Sequence, residues 1–187
     1  MYNKDMTWQL PNPFLNSWRV APEQIDHYQH ANNVTYVSQL EVTSWAHSNR
    51  LGLTIDRYQA LDRGMAISRH EINYLAAAHV NDLIDCATWI VQCDNKLKLT
   101  RQFQFIRRGD QKTLLTARTE FVCIALSTGK PKRMPKVFID VYGPAVVSEP
   151  AAVSEPNVQS TQSTQTSQSI ASMPRALQSQ DQRLKEK

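Results

Sequence analysis

Residues 25–53, IDHYQHANNVTYVSQLEVTSWAHSNRLGL, decide the fold, because a polar loop leads here into the long helical segment of the chain. Apolar side chains in 32–53 recur at the three- and four-residue spacing of a helix. Asn32 or Asn33 can cap its start by accepting a hydrogen bond from an exposed backbone N–H, and Gly52 can end it. We therefore predict a helix over 32–53.

One face of this helix carries an acid among apolar side chains. At about 100° per residue, Val37, Glu41 and Trp45 lie one above the other, and Val34 and Leu40 flank them. We predict that this face is buried. A buried carboxylate is costly unless it is paired or its pKa is raised. Such acids are either structural, bonded to a turn or an arginine, or functional, because they also cluster in active sites.

The loop before the helix holds Asp26, His30 and the Asn32–Asn33 pair. One interpretation is a polar loop that only caps the helix. The other is an acyl-transfer site, since a helix N-terminus presents free backbone N–H groups and the positive end of the helix dipole. These groups can stabilise the oxyanion formed when a carbonyl is attacked. Asp26 would then be the nucleophile or the base that activates water.

Segments of strand character lie before and after the helix. The connections at 94–96 and 108–112 are short enough for hairpins, and the strands after the helix are expected to form largely an antiparallel meander. The long helix is the natural cover for the apolar face of such a sheet, so we predict the α+β class. The predicted strands are 16–22, 65–76, 83–93, 97–106 and 113–126. In 97–106 the residues that share the apolar face are Leu97, Leu99, Phe103 and Phe105.

The last part of the chain, residues 145–187, differs in composition from the rest. It is dominated by Ser, Thr, Gln, Pro and Ala, so it cannot bury enough apolar surface to offset the entropy of ordering. We predict one domain over 1–144 and a disordered tail over 145–187. The tail is neutral, so the domain carries the net charge of +4. This excess does not indicate nucleic-acid binding and suits an anionic small molecule.

Cysteine usage and the length of the apolar runs indicate the cellular compartment to expect. Cys86, Cys93 and Cys123 form no CxxC pair and no metal-ligand spacing, so we predict buried, reduced thiols and no metal site. The first residues lack the apolar core of a secretory signal, and no apolar run reaches the roughly 20 residues that span a bilayer. We therefore expect a cytoplasmic protein without a membrane span.

Three segments resemble the hotdog-fold thioesterases of the 4-hydroxybenzoyl-CoA thioesterase-like and acyl-ACP thioesterase-like kind. IDHYQHANNVTYVSQLE (25–41) is similar to the family pattern D-x-x-x-H-x-N-N-x-x-Y followed by a glutamate on the helix. NYLAAAHVNDLIDCATWIV (73–91) is similar to the family's Tyr, apolar turn and Asp before the next strand. TEFVCIALSTGKPKRMP (119–135) is similar to its last strand and its Gly-Lys-Pro-x-Arg-x-Pro ending. The resemblance covers roughly residues 14–140.

The resemblance implies a hotdog fold, in which a curved antiparallel sheet wraps one long helix. It also implies a homodimer or homotetramer, with two sheets joined edge to edge and the active sites at the dimer interface. The family's acid, histidine and asparagine correspond to Asp26, His30 and Asn33. Its helix glutamate, which some branches use as the catalytic base, corresponds to Glu41.

The substrate-binding residues follow from the same matches. The two tyrosines of the matched segments, Tyr36 and Tyr74, are expected at the substrate. The cationic clusters RR at 107–108 and KPKR at 130–133 are either solvated surface or contacts for the phosphates of CoA or phosphopantetheine. In the second interpretation Arg107, Arg108, Lys132 and Arg133 bind substrate.

The expected activity is hydrolysis of an acyl-CoA or acyl-ACP thioester to a free acid and a thiol. No cofactor is expected beyond the CoA or phosphopantetheine that belongs to the substrate, and the expected partner is that thioester rather than nucleic acid. Two other functions stay open. One is an acyl-thioester dehydratase or hydratase on the same fold, and the other is a non-catalytic protein that binds acyl thioesters.

Overall fold

The computed structural model describes residues 8–147, so nearly all of the predicted tail lies outside the described residues. Helices and strands were found at every predicted place, with ends shifted by up to three residues. Two short α-helices and a 3-10 helix at Pro22–Gln24 were not predicted. The elements are β1 (Phe14–Arg19), α1 (Asn33–Arg50), α2 (Ile55–Ala60), β2 (Gly64–Tyr74), β3 (Leu83–Cys93), β4 (Lys98–Arg107), β5 (Lys112–Ile124) and α3 (Lys136–Tyr142).

The five strands form one curved antiparallel sheet in the order β1-β3-β4-β5-β2, and α1 packs on it. The predicted α+β arrangement of a long helix and an antiparallel sheet is confirmed. The expectation of a meander holds for β3, β4 and β5 but was wrong for β2. That strand pairs with β5, from Gly64 opposite Ile124 to Tyr74 opposite Leu115, because β1 occupies the other side of β3.

The ends of α1 follow the predicted capping residues. The side chain of Asn32 accepts a hydrogen bond from the amide of Val34 at 2.9 Å, so Asn32 is the N-cap. Gly52 follows the helix with a φ of 84°, a left-handed conformation that favours glycine. The helix therefore runs over 33–50, slightly shorter than predicted.

The buried face of α1 differs from the predicted one. Its most buried side chains facing the sheet are Tyr36, Leu40 and Thr43. Glu41 is exposed, and Val34 is 73% exposed, so the prediction that this face is buried within the chain was wrong. The predicted stripe is about one residue, or 100°, out of phase. Its valines are apolar, but they point away from the sheet of their own chain.

The side chains between the sheet and its helices form two apolar clusters. The first lies under the N-terminal half of α1, and the second lies under its C-terminal half together with α2 and α3. Members of the first are Trp18, Tyr36, Leu40, Phe103 and Phe105. Members of the second are Tyr58, Leu99, Phe121, Phe138 and Tyr142. On the helix-facing side of β4, residue 101 therefore stands between the two clusters.

Strand β2 forms one edge of the sheet, so its outer backbone groups pair with no strand among residues 8–147. Ile67 on this strand is 46% exposed, and Tyr74 at its end is 44% exposed. Exposed edges with apolar side chains tend to pair with another chain.

Two predictions about the environment can be compared with the fold. Cys86 and Cys123 are buried free thiols as predicted, whereas Cys93 is only half-buried. Within residues 8–147, no helix combines the length and the apolar character needed to cross a bilayer.

Candidate active site

The carboxylate of Asp26 organises the loop before α1. Its Oδ1 accepts hydrogen bonds from the amides of Tyr28 at 2.8 Å and His30 at 3.3 Å. The Asp26 amide donates to the His30 carbonyl at 2.8 Å, and Gln29 closes the turn with a φ of 62°. Among residues 8–147, Oδ2 accepts no hydrogen bond. One oxygen of Asp26 thus holds the loop, and the other is open to a ligand.

The first turn of α1 presents an unpaired amide. The Asn32 side chain pairs with the amide of Val34, and the Asn32 carbonyl accepts from the amide of Thr35 at 2.9 Å. The amide of Asn33, at the first helical position, donates to no group in the described part of the chain. An N–H at the positive end of a helix dipole can polarise a carbonyl oxygen placed against it.

A cavity of about 290 Å³, called here the N-terminal cavity, brings together half of the predicted site residues. Loop, helix and strand each contribute to it. Five predicted site residues line this cavity: Asp26, His30, Asn33, Tyr36 and Tyr74. The two tyrosine rings pack edge to face with centroids 5.6 Å apart, and the Tyr36 hydroxyl accepts a hydrogen bond from the amide of Ala78 at 3.1 Å. These contacts fix one wall of the cavity.

Glu41 lies in a second cavity of about 260 Å³, called here the Arg101 cavity, between α1 and strands β2, β4 and β5. Eight residues separate it from Asn33, which is a rise of about 12 Å along the helix. The structure therefore divides the predicted catalytic residues. Asp26, His30 and Asn33 share one cavity, and Glu41 stands alone in the other.

Arg101 lies on the helix-facing side of β4 and is only 1% exposed. Its Nη1 donates to Nδ1 of His47 at 2.8 Å, and its Nη2 donates to Oγ of Ser48 at 3.0 Å. Its guanidinium carbon is 5.9 Å from the ring centroid of Tyr142. The hydroxyl of Tyr142 hydrogen-bonds in turn to those of Ser48 and Tyr58. This polar network thus lies at the boundary of the two apolar clusters and includes two tyrosines of the second.

Burial sets the protonation states of the network. Desolvation, helped by the charge of Arg101, lowers the pKa of His47 to about 3, so its ring is neutral and accepts through Nδ1. Desolvation also lowers the pKa of Arg101. Burial and the neighbouring Tyr142 raise the pKa of Tyr58, so its hydroxyl keeps its proton. Arg101 thus has neutral hydrogen-bonding partners.

The sequence contained a signal for Arg101 that the predictions did not use. On the apolar face of 97–106, the alternation of Leu97, Leu99, Phe103 and Phe105 skips one position, and that position is Arg101. A cation at a position where the pattern requires an apolar residue indicates either a pairing partner or a ligand.

Two of the four cations expected at the substrate are held by carboxylates of this chain. Arg107 contacts Asp82 at 3.0 Å and Asp110 at 2.8 Å, and it donates to the Ala77 carbonyl at 3.0 Å. These carboxylates raise the pKa of Arg107. Arg108 forms an ion pair with Asp85, with Nε 3.1 Å from Oδ2.

The other two cations, Lys132 and Arg133, lie on the exposed segment after β5. The amide of Lys132 donates to the Cys123 carbonyl at 2.9 Å, and the Arg133 carbonyl accepts from Nε of Arg63 at 3.2 Å. These hydrogen bonds fix the backbone from which the two side chains extend. The charge of Lys132 contributes to lowering the pKa of Asp62, after the larger effect of hydrogen bonds from Ser127.

Metal-binding geometry is absent from residues 8–147, where no three His, Cys, Asp or Glu side chains are grouped to hold an ion.

The family is defined by a sequence match. The model of the thioesterase-like superfamily matches residues 20–141, which is more than half of the chain. The chain therefore belongs to the thioesterase-like superfamily. This membership supports acyl-thioester hydrolysis as the general class of activity. A comparison with curated proteins gave no match.

Solved structures resemble the fold. A 1,4-dihydroxy-2-naphthoyl-CoA thioesterase from Synechocystis superposes with a TM-score of 0.64 at 16% identity, covering 71% of this chain and 96% of that one. A hypothetical protein from Staphylococcus aureus, solved in complex with CoA, has a TM-score of 0.66 at 18% identity, and the match covers 76% of this chain and 90% of that one. The 12:0-ACP thioesterase from Umbellularia californica has a TM-score of 0.65 at 14% identity, and the match covers 82% of this chain and 60% of that one. At these identities the likeness shows the fold, which is the hotdog fold expected from the sequence.

Proposed function

We propose that this protein hydrolyses an acyl thioester of CoA or of an acyl carrier protein. The observation that carries the proposal is the N-terminal cavity, where the unpaired Asn33 amide and the open oxygen of Asp26 line the same space. A thioester needs a donor for its carbonyl oxygen and a base or nucleophile for its carbonyl carbon. Superfamily membership favours the same chemistry.

The first step uses the helix N-terminus. The thioester oxygen lies against the Asn33 amide, whose donor strength is increased by the helix dipole. Oδ2 of Asp26 takes a proton from water, which adds to the carbonyl, or attacks the carbonyl itself. The tetrahedral oxyanion then collapses, the C–S bond breaks, and the thiolate leaves and is protonated by solvent. On the water route this step completes the free acid, and Asp26 returns its proton to solvent. On the direct route the acyl group stays on Asp26 as an anhydride, which a water molecule hydrolyses to release the acid. Oδ1 stays on the loop amides throughout, and the exposed ring of His30 orients the substrate.

The position of Glu41 in the other cavity favours a site shared between two chains. Both cavities border edge strand β2, because Tyr74 lines one cavity while Ile67 and His70 line the other. A second chain paired antiparallel with β2 about a two-fold axis sets the Tyr74 end of one strand against the Gly64 end of the other. Asp26 of one chain and Glu41 of the second then face the same substrate.

The dimer also accounts for the apolar side chains left exposed in a single chain. Val34 and Val37 on α1 and Ile67 on β2 would be covered by the second chain. Burying such side chains stabilises an interface by about 25 cal/mol per Å² of apolar surface removed from water. We propose a homodimer on this basis.

The phosphate-bearing part of the substrate is assigned to the exposed cations Lys132 and Arg133. Arg107 and Arg108 are ion-paired within the chain, so a phosphate there would have to compete with Asp82, Asp110 or Asp85. A charge-reversal variant at Lys132 and Arg133 is expected to raise KM for CoA thioesters and to leave kcat near that of the native protein.

A panel of acyl-CoA and acyl-ACP thioesters with detection of the free thiol tests the proposal. The native protein is expected to release thiol from at least one thioester, and Asp26→Asn is expected to lose at least about 100-fold in kcat. Addition or loss of water without thiol release would instead indicate a hydratase or dehydratase. If Asp26→Asn hydrolyses every substrate at the native rate, the assignment of Asp26 is wrong.

A further inference from the structure

Arg101 is a buried cation without a carboxylate partner in the described part of the chain. Its hydrogen-bonding partners there, His47, Ser48 and Tyr142, are neutral groups, and it makes no ion pair within residues 8–147. A charged group taken out of water is normally paired with the opposite charge or ligates an ion, because desolvation is otherwise uncompensated. Arg101 is nevertheless one of the residues that line the Arg101 cavity.

The rest of the cavity wall is suited to a short organic group. Leu40, Trp45, Leu99 and Phe121 supply apolar surface around the guanidinium, and Thr119 supplies a hydroxyl. The Thr119 hydroxyl is bonded to Nδ1 of His70 at 2.9 Å, which holds both side chains in place. A volume of about 260 Å³ is below the roughly 300–1,000 Å³ of pockets for larger ligands. The space suits a short acyl chain or one ring.

We propose that the Arg101 cavity is the acyl-binding site and that it selects acyl groups whose far end carries a carboxylate, which pairs with Arg101. This inference rests on the proposed thioester hydrolysis and adds its substrate class, the monothioester of a dicarboxylic acid. A guanidinium binds a carboxylate through two parallel N–H donors, and such pairs are strong where water is excluded.

Glu41 in the same cavity does not oppose this selection. Glu41 is exposed in the single chain whereas Arg101 is only 1% exposed, so the two groups lie at different depths of the cavity. Glu41 forms no ion pair with Arg101 in the described part of the chain, and the two groups belong to different elements, α1 and β4. The acyl carboxylate therefore meets a cation that no acid of the described chain neutralises.

The test compares two thioesters of equal carbon number, glutaryl-CoA and pentanoyl-CoA, which differ in a terminal carboxylate or methyl group. The native protein is expected to hydrolyse glutaryl-CoA with a kcat/KM at least about 10-fold higher. Arg101→Met is expected to abolish or reverse that preference, because kcat/KM should fall by roughly 10- to 100-fold for glutaryl-CoA and should not fall for pentanoyl-CoA. A merely structural role would lower both.

Arg50→Met is the matched control, because Arg50 is an exposed arginine at the end of α1. This variant is expected to have the native kcat/KM for both thioesters. Arg101→Lys keeps the charge and is expected to retain part of the preference, which keeps the test informative if Arg101→Met folds poorly. Equal kcat/KM for the two thioesters in the native protein would overturn the inference and leave thioester hydrolysis standing.

A binding measurement separates the inference from the proposed function. Free glutarate is expected to raise the Tm of the native protein more than free pentanoate does at the same concentration, and to lose this effect in Arg101→Met. If neither thioester is hydrolysed but glutarate binds through Arg101, the hydrolytic function fails and the carboxylate site stands. If glutarate and pentanoate shift the Tm equally, the carboxylate site is overturned.

Discussion

Nη1 of Arg101 donates a hydrogen bond to Nδ1 of His47 at 2.8 Å, which requires that ring to be neutral. Burial and Arg101 lower the pKa of His47 to about 3, from an ordinary value of 6.5. The unfolded chain therefore binds more protons between these two values. The contribution of His47 to stability is complete above about pH 6.5 and decreases as the pH falls toward 3, by at most about 1.4 kcal/mol per pH unit.

Urea unfolding at pH 7 and pH 5 measures this dependence. His47→Gln retains an acceptor for Arg101 but cannot be protonated, so its unfolding midpoint is expected to change less with pH than that of the native protein. His27→Gln, at an exposed histidine, serves as the control and should behave like the native protein. An identical pH dependence in the native protein and His47→Gln would show that His47 does not control it.

Two substitutions of Asp26 are expected to distinguish its role in the stability of the loop from its role in catalysis. Asp26→Asn keeps an oxygen that can accept from the amides of Tyr28 and His30, so its Tm should stay near the native value while hydrolysis is lost. Asp26→Ala removes the acceptor as well and should destabilise the protein by about 1 kcal/mol. Thermal unfolding and thioester hydrolysis are measured on both variants. Equal stability of the two variants would mean that the loop does not depend on this acceptor.

The main role of Arg107 is expected to be the stability of the fold and not substrate binding. It ties the 75–82 connection to the β4–β5 turn through Asp82, Asp110 and the Ala77 carbonyl. Arg107→Gln should lower the free energy of unfolding by about 1–3 kcal/mol, measured by urea denaturation. Arg50→Gln at an exposed position provides the comparison. If Arg107→Gln has the native free energy of unfolding but a raised KM for CoA thioesters, phosphate binding by Arg107 is favoured instead.

The role of the sheet edge is tested by the oligomeric state of the protein and not by its activity, because Ile67 also lines the Arg101 cavity. Ile67→Lys places a charge on β2 and should shift the protein toward a monomer in sedimentation velocity, because the charge would be buried against the second chain. Val42→Lys is a matched control, since Val42 is also 46% exposed but lies about 80° around α1 from Val34 and about 140° from Val37, outside the proposed interface. A native protein that sediments as a monomer at all concentrations would contradict the proposed dimer.

Local sequence signals predicted the elements well and the burial of α1 less well. The Asn32 cap, the Gly52 end and the alternation in β3–β5 depend on nearby residues, so they could be read from the sequence. The pairing of β2 with β5 depends on where β1 inserts, which no local pattern encodes. The valines of α1 show that a helix face is apolar, but not whether its own sheet or another chain covers it.

The candidate site was predictable in part for the same reason. Asp26, His30 and Asn33 are close in the sequence, so one loop brings them together. Glu41 is separated from them along the helix axis, and only the fold shows that it lines a different cavity. Arg101 was missed because a single break in an alternating pattern gives no indication of its partners, which come from α1 and α3.

In the proposed dimer, each active site takes Asp26 from one chain and Glu41 from the other. Co-expression of Asp26→Asn and Glu41→Gln chains, each with its own purification tag, tests it directly once each variant alone is shown to be inactive. In the mixed dimer one site then carries both substitutions and the other carries neither. Thioester hydrolysis by the purified mixed dimer is expected at about half the native rate per dimer. If the mixed dimer is as inactive as its parents, each chain supplies both carboxylates to its own site, and the shared site is contradicted.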